Sequence, residues 1–261
     1  MSGLWDSHLH TPLCGHAAGS PAEFAKAAQE RGLSGLVFTE HAPMPGWFDP
    51  GSRMRPGDLP RYLAWVGEAK GILRVGIGLE MDYHPGTDRP VAQLAGAASW
   101  DYLIGSVHHI GAWGLDDPQW KEEFGQRDLE ELDQAYYQVV IAAARSGLFD
   151  AVGHLDLPKK FGQHYPASKA ALAALDAIAA AGLALDYNTA GLRKPAKEVY
   201  PGRVLLQEAI AREIPLVLGS DAHRPAEVGW AFPEAAAEVE QLGGRLVHFL
   251  GRQPVEVGER P

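Results

Sequence analysis

The chain has 261 residues, 46% of them apolar, and its 23 Lys+Arg against 33 Asp+Glu give a formal charge of −10. That acidity opposes a sequence-independent grip on nucleic acid or on an anionic membrane. The single cysteine, Cys14, excludes an internal disulfide; with no signal-peptide pattern and no apolar run long enough for a bilayer, a cytoplasmic location is expected. The length lies within the range that barrels occupy as one unit, so residues 1–261 are expected to form a single domain.

Residues 3–5 read as a short buried strand, and the alternation of a strand points His8 and His10, two apart at its end, the same way. Two like-facing imidazoles are half a metal site. Ser20-Pro21-Ala22-Glu23 then opens a helix, with Ser20 as N-cap, Pro21 at the first position, Glu23 closing a capping box and Gly32 as the stop. The apolar run 35–39 ends in Glu40-His41. A helical stretch over 59–70 precedes the strand 75–79, which ends at Glu80. A weakly marked helix around 91–98 leads to the strand 102–107 and His108-His109. The amphipathic helix 129–146 is followed by residues 151–153 and His154. Ser168 caps an Ala/Leu helix that stops at Gly182, and the strand 183–187 runs to Asn188. The helix 204–213 precedes the strand 215–220, which ends at Asp221-Ala222-His223. Residues 233–242 form the last helix, 246–250 a short strand or a final helical turn, and the tail from Gly251 reads as frayed.

Repeated strand–helix cycles with strands apolar on both faces indicate a parallel sheet covered by helices. A doubly wound sheet gathers ligands only near a switch point, whereas here six strands end in metal-ligand residue types. Those ends meet only in a closed ring. The expected fold is therefore α/β, a (β/α)7 barrel, a distorted TIM-like barrel with its site at the C-terminal ends of the strands. The Gly/Pro-rich segments 43–60, 84–90 and 111–126 are its long loops.

Taken singly, each strand-end residue has an ordinary explanation: Glu40 as a helix-side charge, Glu80 as a buried carboxylate paired to an arginine, Asp221 as the N-cap of the next helix. Clustered at one barrel mouth and buried, they would each cost several kcal/mol without compensating cations. His8, His10, His16, His41, His108, His154 and His223 with Glu80 and Asp221 are too many donors for one ion. An imidazole-rich set without thiolates favours catalytic Zn, Fe or Mn, and a small buried side chain explains Cys14 equally well. Such a cluster activates water and clamps the oxygens of a transferring phosphoryl group, so hydrolysis is the natural chemistry. Arg193, after the strand that carries no metal ligand, and the pair Lys159-Lys160 are the candidate cationic grip on substrate oxygens.

The segments Asp6-Ser7-His8-Leu9-His10, Thr39-Glu40-His41, Glu80, Ser106-Val107-His108-His109, Gly153-His154-Leu155-Asp156 and Ser220-Asp221-Ala222-His223 together resemble the polymerase and histidinol phosphatase (PHP) family. The likeness runs in order along nearly the whole chain. It implies a trinuclear site of Zn and/or Fe, with Mn as an alternative. One ion would take His8, His10, Glu80 and Asp221, a second Glu80, His108 and His154, a third His16, His41 and His223. Glu40, counted among the candidate metal residues, stands where the family often has Asp. The segment 188–193 looks most like members that act on a small phosphate monoester, L-histidinol phosphate, by attack of a metal-bound hydroxide. Glu80, Asp221 and His223 would then be catalytic, and Arg193, Lys160, Lys159 and His109 would hold phosphate. Alternatives are a nucleotide or nucleic-acid end as substrate, which the acidic balance opposes, and a non-catalytic metal-binding barrel. Asp82, His84, Asp116 and Asp117 lie in loops on the same face, where the rest of a substrate would be read.

Overall fold

The computed structural model describes residues 3–44, 49–162 and 167–258, so residues 45–48 of the loop expected over 43–60 lie outside it. Seven parallel strands follow one another as neighbours in chain order: Trp5–Asp6, Gly35–His41, Arg74–Asp82, Tyr102–Ser106, Ala151–Val152, Ala184–Asn188 and Leu216–Gly219. The first and seventh also meet. Ser7 N–H donates to Leu218 O and His10 N–H to Ala222 O, both at 2.9 Å, and Leu9 bridges Ala222 in parallel register. Asp6 bolts this seam: its carboxylate accepts the backbone N–H groups of Ser220 (2.9 Å) and Gly229 (2.8 Å) and the Ser220 hydroxyl. The ring is the expected (β/α)7 barrel.

Between the strands lie the helices Pro21–Glu30, Leu59–Gly67, Asp88–Ala95, Leu129–Arg145, Lys169–Ala180, Arg203–Ala211 and Phe232–Gln241. The Ser20–Glu23 capping box forms as read from the sequence, and Ser168 caps its helix by accepting from Ala171 N–H. The weakly marked third helix starts at Asp88, three residues earlier than expected, with no side-chain cap to announce it. Among the described residues no helix is long and apolar enough to cross a membrane.

The tail differs from expectation. Leu250 is the end of a strand, Leu246–Leu250, that pairs with the start of the seventh strand and then turns back antiparallel into Gln253–Glu256. The two turn residues, Gly251 and Arg252, both have positive φ, the requirement of a tight hairpin, and an arginine there hides the signal. Asp101 accepts Gly251 N–H, and Arg252 pairs with Asp150 at 3.0 Å, fastening the hairpin beneath the barrel.

The alternation of the strands sorts side chains into two cores. Leu36, Phe38, Leu103, Leu185, Leu216 and Leu218 face the helices, while Val37, Tyr102, Ile104, Ala184 and Val217 fill the barrel's interior with Trp5 and Phe249. Moving two or four residues along the same inward faces replaces apolar by polar: Ile104 by Ser106, Ala184 by Asp186 and Asn188, Val217 by Asp221. The barrel is thus dry below and charged above, and the change occurs where the strands end.

Candidate metal centre

Glu80, at the end of the third strand and 1% exposed, is the hub. Its Oε2 lies 2.9 Å from His41 Nδ1, 3.4 Å from His8 Nε2 and 3.6 Å from His10 Nε2. Its Oε1 lies 3.0 Å from His154 Nε2 and 3.5 Å from His108 Nε2, and accepts the Ser106 hydroxyl at 2.6 Å. Five imidazoles from four other strand ends therefore converge on one carboxylate. Asp221 adds a second, 3.1 Å from His10 Nε2, on a backbone held in the left-handed region at φ 50°. That conformation is costly for a residue with a Cβ and is kept where the surroundings enforce it. The His223 and His16 rings complete a stack, with centroids 4.3 Å from His10 to His223 and 4.5 Å from His16 to His223.

Close approach here depends on glycine. A Cβ at Gly219 would collide with Asp186 Oδ1 and with His8 Cβ, and one at Gly153 with the Ser106 hydroxyl. Gly219 lets His8 and Asp186 meet: Asp186 Oδ2 sits 2.8 Å from His8 Nδ1 and also accepts from the Asn188 amide at 2.9 Å. A second imidazole is backed the same way, and a third has a carboxylate nearby without a hydrogen bond. Asp82 Oδ1 is 2.7 Å from His108 Nδ1, and Glu40 Oε1 is 3.6 Å from His10 Nδ1. A carboxylate behind a metal-type histidine fixes its tautomer and turns the other nitrogen toward the centre.

The electrostatics are those of a site built for cations. Burial alone would push the Glu80 carboxyl up, but the imidazoles of His8, His41 and His108 outweigh it and hold it well below the usual range. Asp221 is likewise held low against burial by its bond to His10 and the charges of His8 and His223. Burial, reinforced by the nearby His10, lowers His41 to about 4, whereas His10 rises to about 9 despite burial because the Asp221 and Glu40 carboxylates stand beside it. Several buried donor atoms have no hydrogen-bond partner among the described residues, including His8 Nε2, both nitrogens of His10, Glu80 Oε2 and His223 Nε2. Buried polar atoms left this way are expensive, and metal ions drawn to these electron pairs remove the cost.

Among the described residues four overlapping triads have donor atoms within 4.8 Å of one another: His8, His10 and Glu80; Glu80, His108 and His154; His10, His41 and His223; and Cys14, His16 and His223. The first two match the expected sets, with Asp221 alongside the first. The expected trio of His16, His41 and His223 is divided between the last two. Glu40 stands outside the triads: its carboxylate accepts from Thr11 N–H at 2.9 Å, from the Thr11 hydroxyl and from His41 N–H at 2.9 Å.

A cavity of about 530 Å³ opens over the cluster, lined by His16, His41, His108 and His109 and also by Asp116, Asp117 and Lys160. The adjacent lysines part company here. Lys160 Nζ reaches Asp116 O at 2.7 Å and Asp116 Oδ2 at 3.2 Å on the cavity wall. Lys159 is buried against Asp156 and Glu198, each at 2.8 Å. Arg193, at the end of a short 3-10 turn after the sixth strand, reaches back so that Nη2 donates to Ser220 O at 2.8 Å, while its buried Nη1 has no partner among the described residues. Asp186 is not singled out by the sequence, and Ser106 enters there only as part of a motif, without its bond to Glu80. A lone acid inside the apolar run 183–187 was the signal for Asp186, since an unpaired charge in a buried strand requires a partner.

A closed barrel with an imidazole- and carboxylate-rich, multi-donor centre at the strand C-termini defines a metal-dependent hydrolase class. The chain belongs to the PHP domain family, which matches residues 6–190. It is similar to a probable histidinol-phosphatase of Deinococcus radiodurans, with 55% identity over 97% of this chain and 99% of that one, and to the histidinol-phosphatase of Bacillus subtilis, with 32% identity over 87% and 96%. Its fold is that of a histidinol phosphate phosphatase from Lactococcus lactis solved with zinc, L-histidinol and phosphate: TM-score 0.82 at 23% identity, covering 98% of this chain and all of that one.

Proposed function

We propose that the chain is a cytoplasmic, metal-dependent phosphatase that hydrolyses L-histidinol phosphate to L-histidinol and inorganic phosphate. The observation that carries the reading is the convergence of five imidazoles on Glu80 beneath a cavity with acidic and basic walls. Near-full-length similarity to histidinol-phosphatases supports the substrate.

Zn, Fe or Mn, arranged as three ions, would be held by His8, His10, Glu80 and Asp221, by Glu80, His108 and His154, and by His16, His41 and His223. Bound there, such ions supply activated water and neutralise charge developing on phosphate. The protein's own groups do the rest. Burial holds His41 and His223 low, which favours the form that offers an electron pair, and the neighbouring imidazoles hold Glu80 and Asp221 low, which favours the carboxylate. Arg193 Nη1 and Lys160 Nζ, with His109, would grip the non-bridging oxygens, leaving Lys159 to brace the loop against Glu198. Asp116 and Asp117 at the cavity wall suit a substrate whose alcohol half carries an amine, and a nucleic-acid end, adding negative charge to a −10 chain, is disfavoured.

The test is turnover of histidinol phosphate beside single-stranded DNA ends, nucleotides and an aryl phosphate. Preference for the amino-alcohol ester by about two orders of magnitude or more is expected, as a site built around specific polar contacts discriminates that strongly. Equal or faster attack on DNA ends would replace the substrate, and no hydrolysis of any ester would leave a binding protein. In the same assay Arg193→Ala is expected to raise KM and lower kcat together, about 100-fold in kcat/KM, because it removes a grip that tightens as charge builds. Wild-type kinetics for that variant would remove Arg193 from the site.

A further inference from the structure

Three metal-type histidines have a carboxylate behind Nδ1, and the groups behind those carboxylates differ. Asp186, behind His8, is met by the neutral amide of Asn188, and Glu40, behind His10, by the hydroxyl and N–H of Thr11. Asp82, behind His108, is met by a full cation. Its Oδ1 holds His108 twice, at Nδ1 (2.7 Å) and at the backbone N–H (3.3 Å), while its Oδ2 lies 2.7 Å from Arg53 Nη1. Both Asp82 and Arg53 are buried.

Arg53 comes from the long loop between the second strand and the second helix, and it also lines the cavity. Its Nε donates to Asp49 O at 3.0 Å and its Nη1 to Ala42 O at 3.4 Å, while the next residue, Met54, donates its N–H to His41 O at 3.1 Å. One short stretch of loop is therefore sewn to the backbone of one metal-type histidine and, through Asp82, to the ring of another.

We propose that Arg53 is a positioning residue of the metal centre: its guanidinium orients Asp82, Asp82 orients His108, and the cavity wall and the ion held by Glu80, His108 and His154 are thereby one mechanical unit. Asp82 cannot serve His108 equally well alone. A carboxylate with only one oxygen restrained is free to rotate, and rotation withdraws the acceptor that sets which imidazole nitrogen faces Glu80. Partners of this kind behind a ligand change metal affinity by about 10–100-fold when removed.

The inference rests on the reading that His108 is a metal donor, and the experiment separates the two. The metal-free chain is titrated with Co2+, following its ligand-field absorption and measuring affinity by competition with a chromophoric chelator. Wild type, Arg53→Ala, Arg53→Gln, Arg53→Lys, Asp82→Asn and the double variant Arg53→Ala/Asp82→Asn are compared, with far-UV circular dichroism confirming the fold. Expected are an affinity loss of about 10–100-fold for one cobalt site in Arg53→Ala and in Asp82→Asn, a shifted band for that site, and substantial recovery in Arg53→Lys. The double variant should be no weaker than Asp82→Asn alone, because one residue acts through the other. Should Arg53→Ala not fold, Arg53→Gln, which keeps a donor and loses the charge, makes the same comparison. Wild-type affinity and spectrum in the Arg53 variants, or losses that simply add in the double variant, would overturn the proposal. A wild-type chain that takes up no cobalt would instead remove the reading of His108 as a donor.

Discussion

Exhaustive chelation is expected to abolish phosphatase activity, lowering kcat/KM by at least about 10⁴-fold, with recovery on adding back Zn2+. Phosphate monoesters are among the slowest of uncatalysed hydrolyses, so the stabilisation of charge at the transferring group must supply most of the rate. In the proposed site Arg193 and Lys160 would provide two cationic side chains, and Lys160 already meets Asp116. Two such contacts, at a few kcal/mol each, fall well short of what the reaction needs. The same treatment should lower the thermal midpoint. Ions that bind only the folded chain stabilise it by RT ln(1 + [L]/Kd), about 4 kcal/mol at a thousand times Kd. Their removal also returns His8, His10 and Glu80 to a buried cluster with unpartnered atoms. Calorimetry before and after chelation, beside the activity assay, measures both. Full turnover by a chain shown by elemental analysis to be metal-free would refute the metal-dependent reading.

What the sequence conveyed about this site follows from where its signals are local. Each strand is apolar until its last residues, so His8, Glu80, His108, His154 and Asp221 announce themselves as charges where a core run stops. The parallel order of the strands then brings those ends together without further information. The supports are not local. Asp186 lies 178 residues from His8 and Asp82 lies 26 from His108, and nothing near either acid names its partner. Lys159 and Lys160 are indistinguishable in sequence because they are neighbours on a single 3-10 turn, where adjacent side chains diverge by a third of a circle. Only the packing of Asp156 and Glu198 around the first and Asp116 beside the second separates them. The terminal hairpin was hidden for a related reason: its turn places Arg252 at positive φ, where sequence rules expect Gly or Asn.

Glu80→Gln should be the most damaging conservative substitution in the chain. The amide has nearly the shape of the carboxylate, so packing is retained while the charge that five imidazoles face at 2.9 to 3.6 Å is lost. Two of the four donor triads contain Glu80, and an amide nitrogen cannot donate an electron pair to an ion. Both sites should therefore weaken together, with kcat/KM falling by about 10³-fold or more and the metal content dropping by at least one ion per chain. Glu80→Asp separates charge from reach: it keeps the anion but withdraws it by one methylene, and should retain metal better than activity. Stability follows from the same charge in the metal-free state. There Glu80 is the counter-charge for protonated His8 and His108, and removing one partner of a buried ionic cluster costs about 3–5 kcal/mol. Metal-free Glu80→Gln should thus unfold at lower temperature than the metal-free wild type, and metal-free Glu80→Asp should fall between them. Elemental analysis, steady-state kinetics and thermal unfolding on the three chains provide the check. Wild-type metal content and turnover in the Glu80→Gln variant would show that the carboxylate at the centre of the cluster is not what holds the ions.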